Sequence, residues 1–270
     1  MRGGIRMDLH LRGKVAVITG GGTGIGRETA LEFAREGALV AVVGRRPAPL
    51  QELAVEFAQN GWPFYWESCD VADRNKMAEF AEHVWEKFGS LDIWMNNAGI
   101  AIDKPLMEFH EEDWNRMLAT NLQAVYDGTR LAASYMMKKD GGVILNASSF
   151  ASKIPHANGV IYAATKAAVS NLTKSTAAAL APYGIRVVGY IPGMIMTPIS
   201  ERSIGNYREE FIRNISLGRL GRPEDLAAPL VFLASDRASY ITGVDVEISG
   251  GKFAVQDCQM PWRFQKGEEK

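Results

Sequence analysis

Two stretches of this chain place a tyrosine four residues ahead of a lysine: "YAATK", Tyr162 to Lys166, and "YMMKK", Tyr135 to Lys139. Residues four apart share a helix face, so each pair can set an ammonium beside a phenol. A phenol ionises near pH 10 in water and is a poor proton donor or acceptor near neutrality. A neighbouring ammonium favours the phenolate and brings the group towards useful acid–base chemistry. The pattern is short enough to arise by chance, so the surrounding sequence has to separate chemistry from accident.

A second chemical signal lies near the start. "TGGGTGIG", Thr19 to Gly26, follows an apolar β-branched run and precedes a stretch of helical period. Glycines there permit a tight turn and let backbone approach a pyrophosphate, while a helix N-terminus offers N–H groups and positive dipole. Gly20, Gly24 and Gly26 stand in the order Gly-x-x-x-Gly-x-Gly rather than G-x-G-x-x-G, and a plain glycine-rich turn is the competing reading. After the second strand of a dinucleotide fold, an acid accepts the ribose hydroxyls, whereas arginine accommodates a 2′-phosphate. That position is Gly44 here, followed by Arg45 and Arg46. The arginines favour NADP(H) over NAD(H); two solvated arginines ahead of a helix are the alternative. Asp70, in "CDVAD", is placed either to accept from an adenine amino group with Val71 alongside, or to cap the next helix in competition with Asp73.

The elements that would position these groups alternate along the chain. Strands are expected at Val15–Thr19 and 39–43, in "FYWESC", "LDIWMNNAG", "GGVILNASS" and "IRVVGYIPG", and at 244–251. Helical segments lie between them, among them long ones at about 111–137 and 159–183. Such alternation predicts an α/β chain, one doubly wound Rossmann-type domain with a seven-stranded parallel sheet. Ligands of these sheets bind at the carboxyl ends of the strands, where each of the motifs falls. The expected division is an N-terminal extension at 1–12, the domain at 13–252 with a lid at 194–217, and a C-terminal extension at 253–270.

Four further motifs bear on the tyrosine question. "NNAG" (Asn96 to Gly99) follows the fourth strand, and Asn121 lies in "TNLQA" on the first long helix. Ser149 stands thirteen residues before Tyr162, and "PGMIMT" (Pro192 to Thr197) follows the sixth strand. Together with the glycine loop, their order and spacing resemble the short-chain dehydrogenase/reductase family from about residue 13 to 251. Tyr135 has Leu122 at the serine's position and ends a helix, where basic residues simply suit the dipole. Tyr135 is therefore read as the accident.

The resemblance implies a catalytic set of Asn121, Ser149, Tyr162 and Lys166. Tyr162 would exchange a proton with the substrate oxygen that Ser149 holds. Lys166 would lower the phenol's pKa and bond the nicotinamide ribose, and Asn121 would position a water linking Lys166 to solvent. Taken without the family, Ser149 is a turn cap, Asn121 a buried amide and Lys166 a solvated helix lysine. The resemblance also implies that Gly20, Thr23, Gly24, Ile25 and Gly26 contact the cofactor, as do Asn97, Ala98 and Gly99. Pro192, Gly193, Ile195 and Thr197 would complete that surface, the Thr197 hydroxyl meeting the carboxamide. The implied reaction interconverts a small-molecule ketone and a secondary alcohol, in a chain similar to 3-oxoacyl reductases and to sugar, polyol and hydroxysteroid dehydrogenases. Carrier-protein reductases of the family present two surface arginines to an acidic carrier; the matching positions here hold Asp140 and Tyr183. Val188 stands where the family writes asparagine in "RVN". The alternative function is a cofactor-binding regulator or scaffold, which should have lost part of a catalytic set that is complete here.

Composition narrows the partners. The formal net charge is −1 with no long charged run, which gives no reason to expect nucleic acid or a membrane surface. No apolar run approaches the ~20 residues of a membrane span. The four histidines are scattered and predict no metal site. Cys69 and Cys258 lack metal or redox spacing and read as reduced thiols of a cytoplasmic protein. The family resemblance implies a homotetramer. Met194, Met196, Ile204, Tyr207 and Phe211 read either as an adaptable apolar lid or as helix core. Lys153, His156 and Arg202 either meet an anionic substrate or are solvated. Trp262 and Phe264 either pack on a neighbouring subunit or belong to a disordered tail.

Overall fold

A computed structural model of the chain describes residues 7–139 and 141–266, without the side chains of Arg202, Ser203 and Asn206. Asp140 and the side chain of Arg202 therefore lie outside the described residues. The first half runs β1 (Val15–Thr19), α1 (Gly24–Arg35), β2 (Leu39–Gly44), α2 (Pro47–Gln59), β3 (Phe64–Ser68), α3 (Arg74–Phe88) and β4 (Ile93–Asn96). It continues through α4 (Glu111–Leu118), α5 (Ala124–Met136), β5 (Gly142–Ala147), α6 (Val160–Leu180) and β6 (Ile185–Pro192). The last part holds α7 (Glu201–Ile204), α8 (Arg208–Arg213), α9 (Pro223–Ala234), β7 (Asp245–Ile248) and α10 (Met260–Lys266).

The strands form the one parallel seven-stranded sheet that the sequence pattern predicts, in the order β3-β2-β1-β4-β5-β6-β7. Its central strands are apolar throughout because both faces are covered. Alternate residues of β1 show this: Ala16 and Ile18 join the core under α1, α2 and α9, while Val15 and Val17 join the core under α3 and α5. The strand order reverses between β1 and β4, which opens the crevice where such sheets take ligands.

Two features depart from the sequence pattern. The helix expected at 111–137 is interrupted by a wider π-type turn, Ala119–Gln123, between α4 and α5. π-turns of this kind are frequent at functional sites, and this one carries Asn121. Helix α9 is not evident from periodicity, because "PEDLAAPLVFLA" is apolar on most sides and holds Pro229 inside. Its start is nonetheless written locally: Pro223 takes the first turn, and Asp225 Oδ2 accepts from Arg222 N at 2.8 Å. None of the described helices is long and apolar enough to cross a membrane.

Candidate active site

The carboxyl ends of β1, β2, β4, β5 and β6 converge on a cleft of ≈ 1500 Å³. Sites for a single drug-sized ligand run to about 300–1,000 Å³, so this cleft has room for a dinucleotide and a second small molecule. At one end lies the glycine loop. Gly20 adopts φ +66°, and a Cβ there would sit 2.9 Å from Ala98 Cα, so only glycine brings the loop against the turn after β4. Polar groups pin that contact. Thr19 Oγ1 accepts from Asn97 N at 3.0 Å and Ala98 N at 3.1 Å, and Asn97 Nδ2 donates to Thr19 O at 3.1 Å. Tyr190, which the sequence motifs do not single out, donates from its hydroxyl to Asn97 Oδ1 at 3.1 Å. Gly20→Ala is expected to lower the unfolding free energy by about 2 kcal/mol, from the left-handed backbone and the displaced Ala98, as read by urea denaturation.

Thr23, Gly24 and Ile25 line the cleft at the start of α1. The first turn of α1 has no acidic residue and no side-chain cap, which leaves its N–H groups for an anion. Gly26 does not line the cleft. It is buried against Gly20 O and Asn97 Nδ2, where a Cβ would come within 2.5 and 2.6 Å, so it lets α1 approach the loop. Arg45 and Arg46 line the next part of the wall and are exposed. Arg46 Nη2 donates to Thr23 Oγ1 at 3.4 Å, and Arg45 Nη1 lies 3.9 Å from Asp70 Oδ2. Asp70 itself does not line the cleft; its Oδ1 accepts from Ala72 N at 3.0 Å, while Asp73 caps α3 through Lys76 N at 3.1 Å. Val71 and the buried Cys69 do face the cleft, and burial pushes the Cys69 thiol up to about 11.

At the other end Ser149, Tyr162 and Lys166 line the same cleft as Asn97, Ala98 and Gly99. Ser149 follows β5, and its Oγ accepts from Ala151 N at 3.2 Å while facing the cavity, so capping and cleft exposure coexist in one residue. Lys166, one turn after Tyr162 on α6, is almost fully buried, and its Nζ donates to Ala147 O at 2.8 Å. The ammonium stands 5.8 Å from the centre of the Tyr162 ring. Burial pushes Lys166 down to about 8. Burial also raises the Tyr162 phenol above its ordinary value, with Asp103 adding to the rise and the Ser149 hydroxyl pulling the other way. The direction for the phenol is thus upward, set mainly by burial. Burial disfavours the charged form of each group, the phenolate and the ammonium alike.

Asn121 does not line the cleft but stands directly behind it, fully buried. Its Oδ1 accepts from Ile100 N and its Nδ2 donates to Ile100 O, both at 2.9 Å, clamping the segment after "NNAG". A Cβ on Gly99 would meet Asn121 Oδ1 at 3.4 Å and Lys166 Nζ at 3.6 Å, so that glycine separates the two side chains. Tyr135 is elsewhere. It packs in the core under α3 and α5 and donates to Glu82 Oε2 at 2.6 Å.

Pro192, Gly193, Ile195 and Thr197 leave β6 and form the wall opposite the glycine loop. Thr197 Cγ2 would lie 3.1 Å from a Cβ on Gly24, and Thr197 N bonds Ser200 Oγ at 3.1 Å. Beyond them the apolar residues divide. Met194 and Ile204 form a small buried cluster with Ile215 and Leu220, against which Phe211 packs, whereas Met196 and Tyr207 are exposed. Lys153 is engaged by Glu247 at 2.8 Å, and His156 lies 3.9 Å from Asp103. Trp262 on α10 donates from Nε1 to Ser216 O at 2.9 Å and stacks over Gly218, so this part of the tail rests on its own chain. Among the described residues no cluster of His, Cys, Asp and Glu could hold a metal ion.

The sequence pattern of the family described as short chain dehydrogenase matches residues 14–207. The chain is 40% identical over 245 residues to the 3-oxoacyl-[acyl-carrier-protein] reductase of Thermotoga maritima, spanning 90% of this chain and 99% of that protein. A short-chain type dehydrogenase/reductase from Mycobacterium marinum superposes with a TM-score of 0.88 at 36% identity, over 92% of this chain and 98% of the other. A gluconate 5-dehydrogenase from Burkholderia cenocepacia, solved in complex with NADP and tartrate, gives 0.87 at 30% identity, over 92% and 98%. With one sheet, one glycine cradle and one cleft in common order along the chain, this protein belongs to the short-chain dehydrogenase/reductase family.

Proposed function

We propose that this chain is an NADP(H)-preferring oxidoreductase that interconverts a small-molecule ketone and its secondary alcohol. The observation that carries the reading is one cleft that joins the glycine cradle and Arg45–Arg46 pair to Ser149, Tyr162 and Lys166. The cradle fits a dinucleotide by its own chemistry: uncapped N–H groups at α1, glycine backbone held open to the cleft, and two guanidinium groups in place of a ribose-binding acid. A bound nicotinamide supplies a hydride to the substrate carbon, or receives one from it.

The residues of this chain do the rest. Ser149 Oγ orients the substrate oxygen, and Tyr162 donates its proton to that oxygen in reduction and takes it back in oxidation. Lys166 holds positive charge near the phenol and keeps it in place through Ala147 O. Asn121 fixes the backbone of Ile100 behind Gly99 and so shapes the wall beside Lys166. Sugar or polyol ketones, steroid ketones and 3-oxoacyl compounds are the substrate classes to try first, given reductases and dehydrogenases of these kinds among its relatives. Exposed Tyr240 and Val244 beside edge strand β7 support a homotetramer, and the two free cysteines support a cytoplasmic setting.

The test follows nicotinamide absorbance while purified protein meets NADPH or NADH and a panel of these ketones. Turnover on one class, faster with NADPH, is the expected result. Tight NADPH binding with no hydride transfer to any ketone would favour the non-catalytic, cofactor-binding alternative.

A further inference from the structure

The same cleft holds a cation that neither the catalytic set nor the cofactor cradle uses. Lys252 follows the glycine pair after β7 and is only 5% exposed. Its ammonium is surrounded by three phenyl rings: Phe253 at 4.4 Å, Phe150 at 4.7 Å and Phe211 at 5.4 Å from the ring centres. Among the described residues no carboxylate lies within 4.0 Å of it, and its Nζ donates to no protein acceptor. Glu210 and Asn214 share the wall, and Asn214 Nδ2 donates to Glu210 O at 3.1 Å.

A lysine normally carries its ammonium out to water along its aliphatic stem. Here the side chain stays within the cleft wall, next to an unusual turn of the backbone. Phe253 adopts φ +55°, a left-handed conformation uncommon for a bulky residue, and its N–H is fixed to Asn214 O at 2.9 Å. Lys252 is itself paired to Ile215 across an isolated antiparallel bridge, which fixes the backbone from which the side chain emerges. Phenyl faces attract the cation, but a desolvated charge without an anion is costly, and a methionine would fill the same space without that cost. Burial lowers the ammonium to about 8, which still leaves it charged at pH 7.

Its position says what could complete it. Phe150, which covers one side of the ammonium, is the residue after Ser149, and both line the cleft with Lys252, Phe211 and Phe253. A group meeting Lys252 therefore belongs to whatever occupies the substrate end beside Ser149 and Tyr162. We propose that Lys252 anchors a carboxylate of the substrate, so that the enzyme acts on ketones and secondary alcohols bearing an acid group. A single ammonium among apolar rings suits one carboxylate; a phosphate would call for a guanidinium fork or several N–H donors, which this end of the cleft lacks among the described residues. Two of the positions that the sequence suggests for an anion, Lys153 and His156, already stand beside carboxylates. Lys153 is paired with Glu247, His156 lies near Asp103, and Arg202's side chain lies outside the described residues. This assignment rests on the oxidoreductase reading for the word substrate, and on Lys252 alone for the anion.

The test is calorimetric binding at pH 7 to the NADPH-loaded protein, with acetate, succinate, glutarate and adipate against the corresponding neutral amides. At least one acid is expected to bind tenfold or more tightly than its amide, and Lys252→Met or Lys252→Gln to bring that ratio to about one while NADPH affinity stays within about threefold. Two variants guard against one failing to fold. No acid preference in the wild type, or a preference that survives both substitutions, overturns the proposal. In turnover, the ratio of kcat/KM for 4-oxopentanoate or 5-oxohexanoate to that for the methyl ester should fall in the same variants, through KM rather than kcat. An intact acid preference with no turnover of any ketone would instead remove the oxidoreductase reading and leave the anion site standing.

Discussion

Tyr162→Phe is expected to lower kcat about a thousandfold while leaving NADPH affinity within about threefold. The substitution removes one hydroxyl from a ring held in place by α6, so it subtracts the proposed proton donor with little change in shape. General acid–base catalysis by a positioned side chain contributes about 10²–10⁴-fold, which sets the scale of the loss. Single-turnover reduction with NADPH and the best ketone of the panel measures it. A loss below tenfold would mean that Tyr162 is not the proton donor.

The pH dependence carries a second part of that expectation. In the proposed mechanism alcohol oxidation needs the Tyr162 phenol to release its proton, and burial holds the phenol above its ordinary value. The oxidation rate therefore rises with pH. The assisting charge on Lys166 is lost as pH passes about 8, so the rise should flatten above that value. Residual oxidation by Tyr162→Phe should lack the rise altogether. A wild-type rate independent of pH between 6 and 9 would separate the chemical step from this proton.

Much of the architecture is legible because strands covered on both faces are written as apolar runs, as in β1 and β2, while the edge strands β3 and β7 are marked by their place in the alternation with helices. What periodicity loses is instructive. α9 has apolar residues around most of its circumference, so no polar stripe marks its outer face. The turn at Ala119–Gln123 is invisible because it changes hydrogen bonding without changing composition. At the site, spacing picks out Ser149 and Tyr162, which the fold brings to one wall although a 3-10 turn and a loop intervene. Gly26 and Asn121 stand behind the cleft rather than in its lining, a placement that spacing along the chain does not reveal. Tyr190 and Lys252 escape notice for a different reason. Each acts through residues distant along the chain, Asn97 in one case and Phe150 in the other, and only the fold supplies the partner.

The Arg45–Arg46 pair makes the second large prediction. Replacing both with alanine is expected to raise KM for NADPH about a hundredfold and to leave KM for NADH within about threefold. Hydrogen bonds to charged groups contribute about 1.5–3 kcal/mol each, but both guanidinium groups are exposed and Arg45 is shared with Asp70, so the lower end applies. Each arginine then accounts for about tenfold, and the two multiply if they act independently. Electrostatic contact with a 2′-phosphate also implies that KM for NADPH rises with salt more steeply in the wild type than in the double variant. The competing role is structural, since Arg46 also holds Thr23 at the edge of the glycine loop. That role predicts equal weakening of NADPH and NADH, because both cofactors share the pyrophosphate that the loop receives. Arg46→Ala alone separates the two: a selective loss for NADPH assigns the guanidinium to the phosphate, and an equal loss assigns it to the loop. Adding Gly44→Asp to the double variant should then favour NADH, since a carboxylate at that position accepts ribose hydroxyls and repels a phosphate.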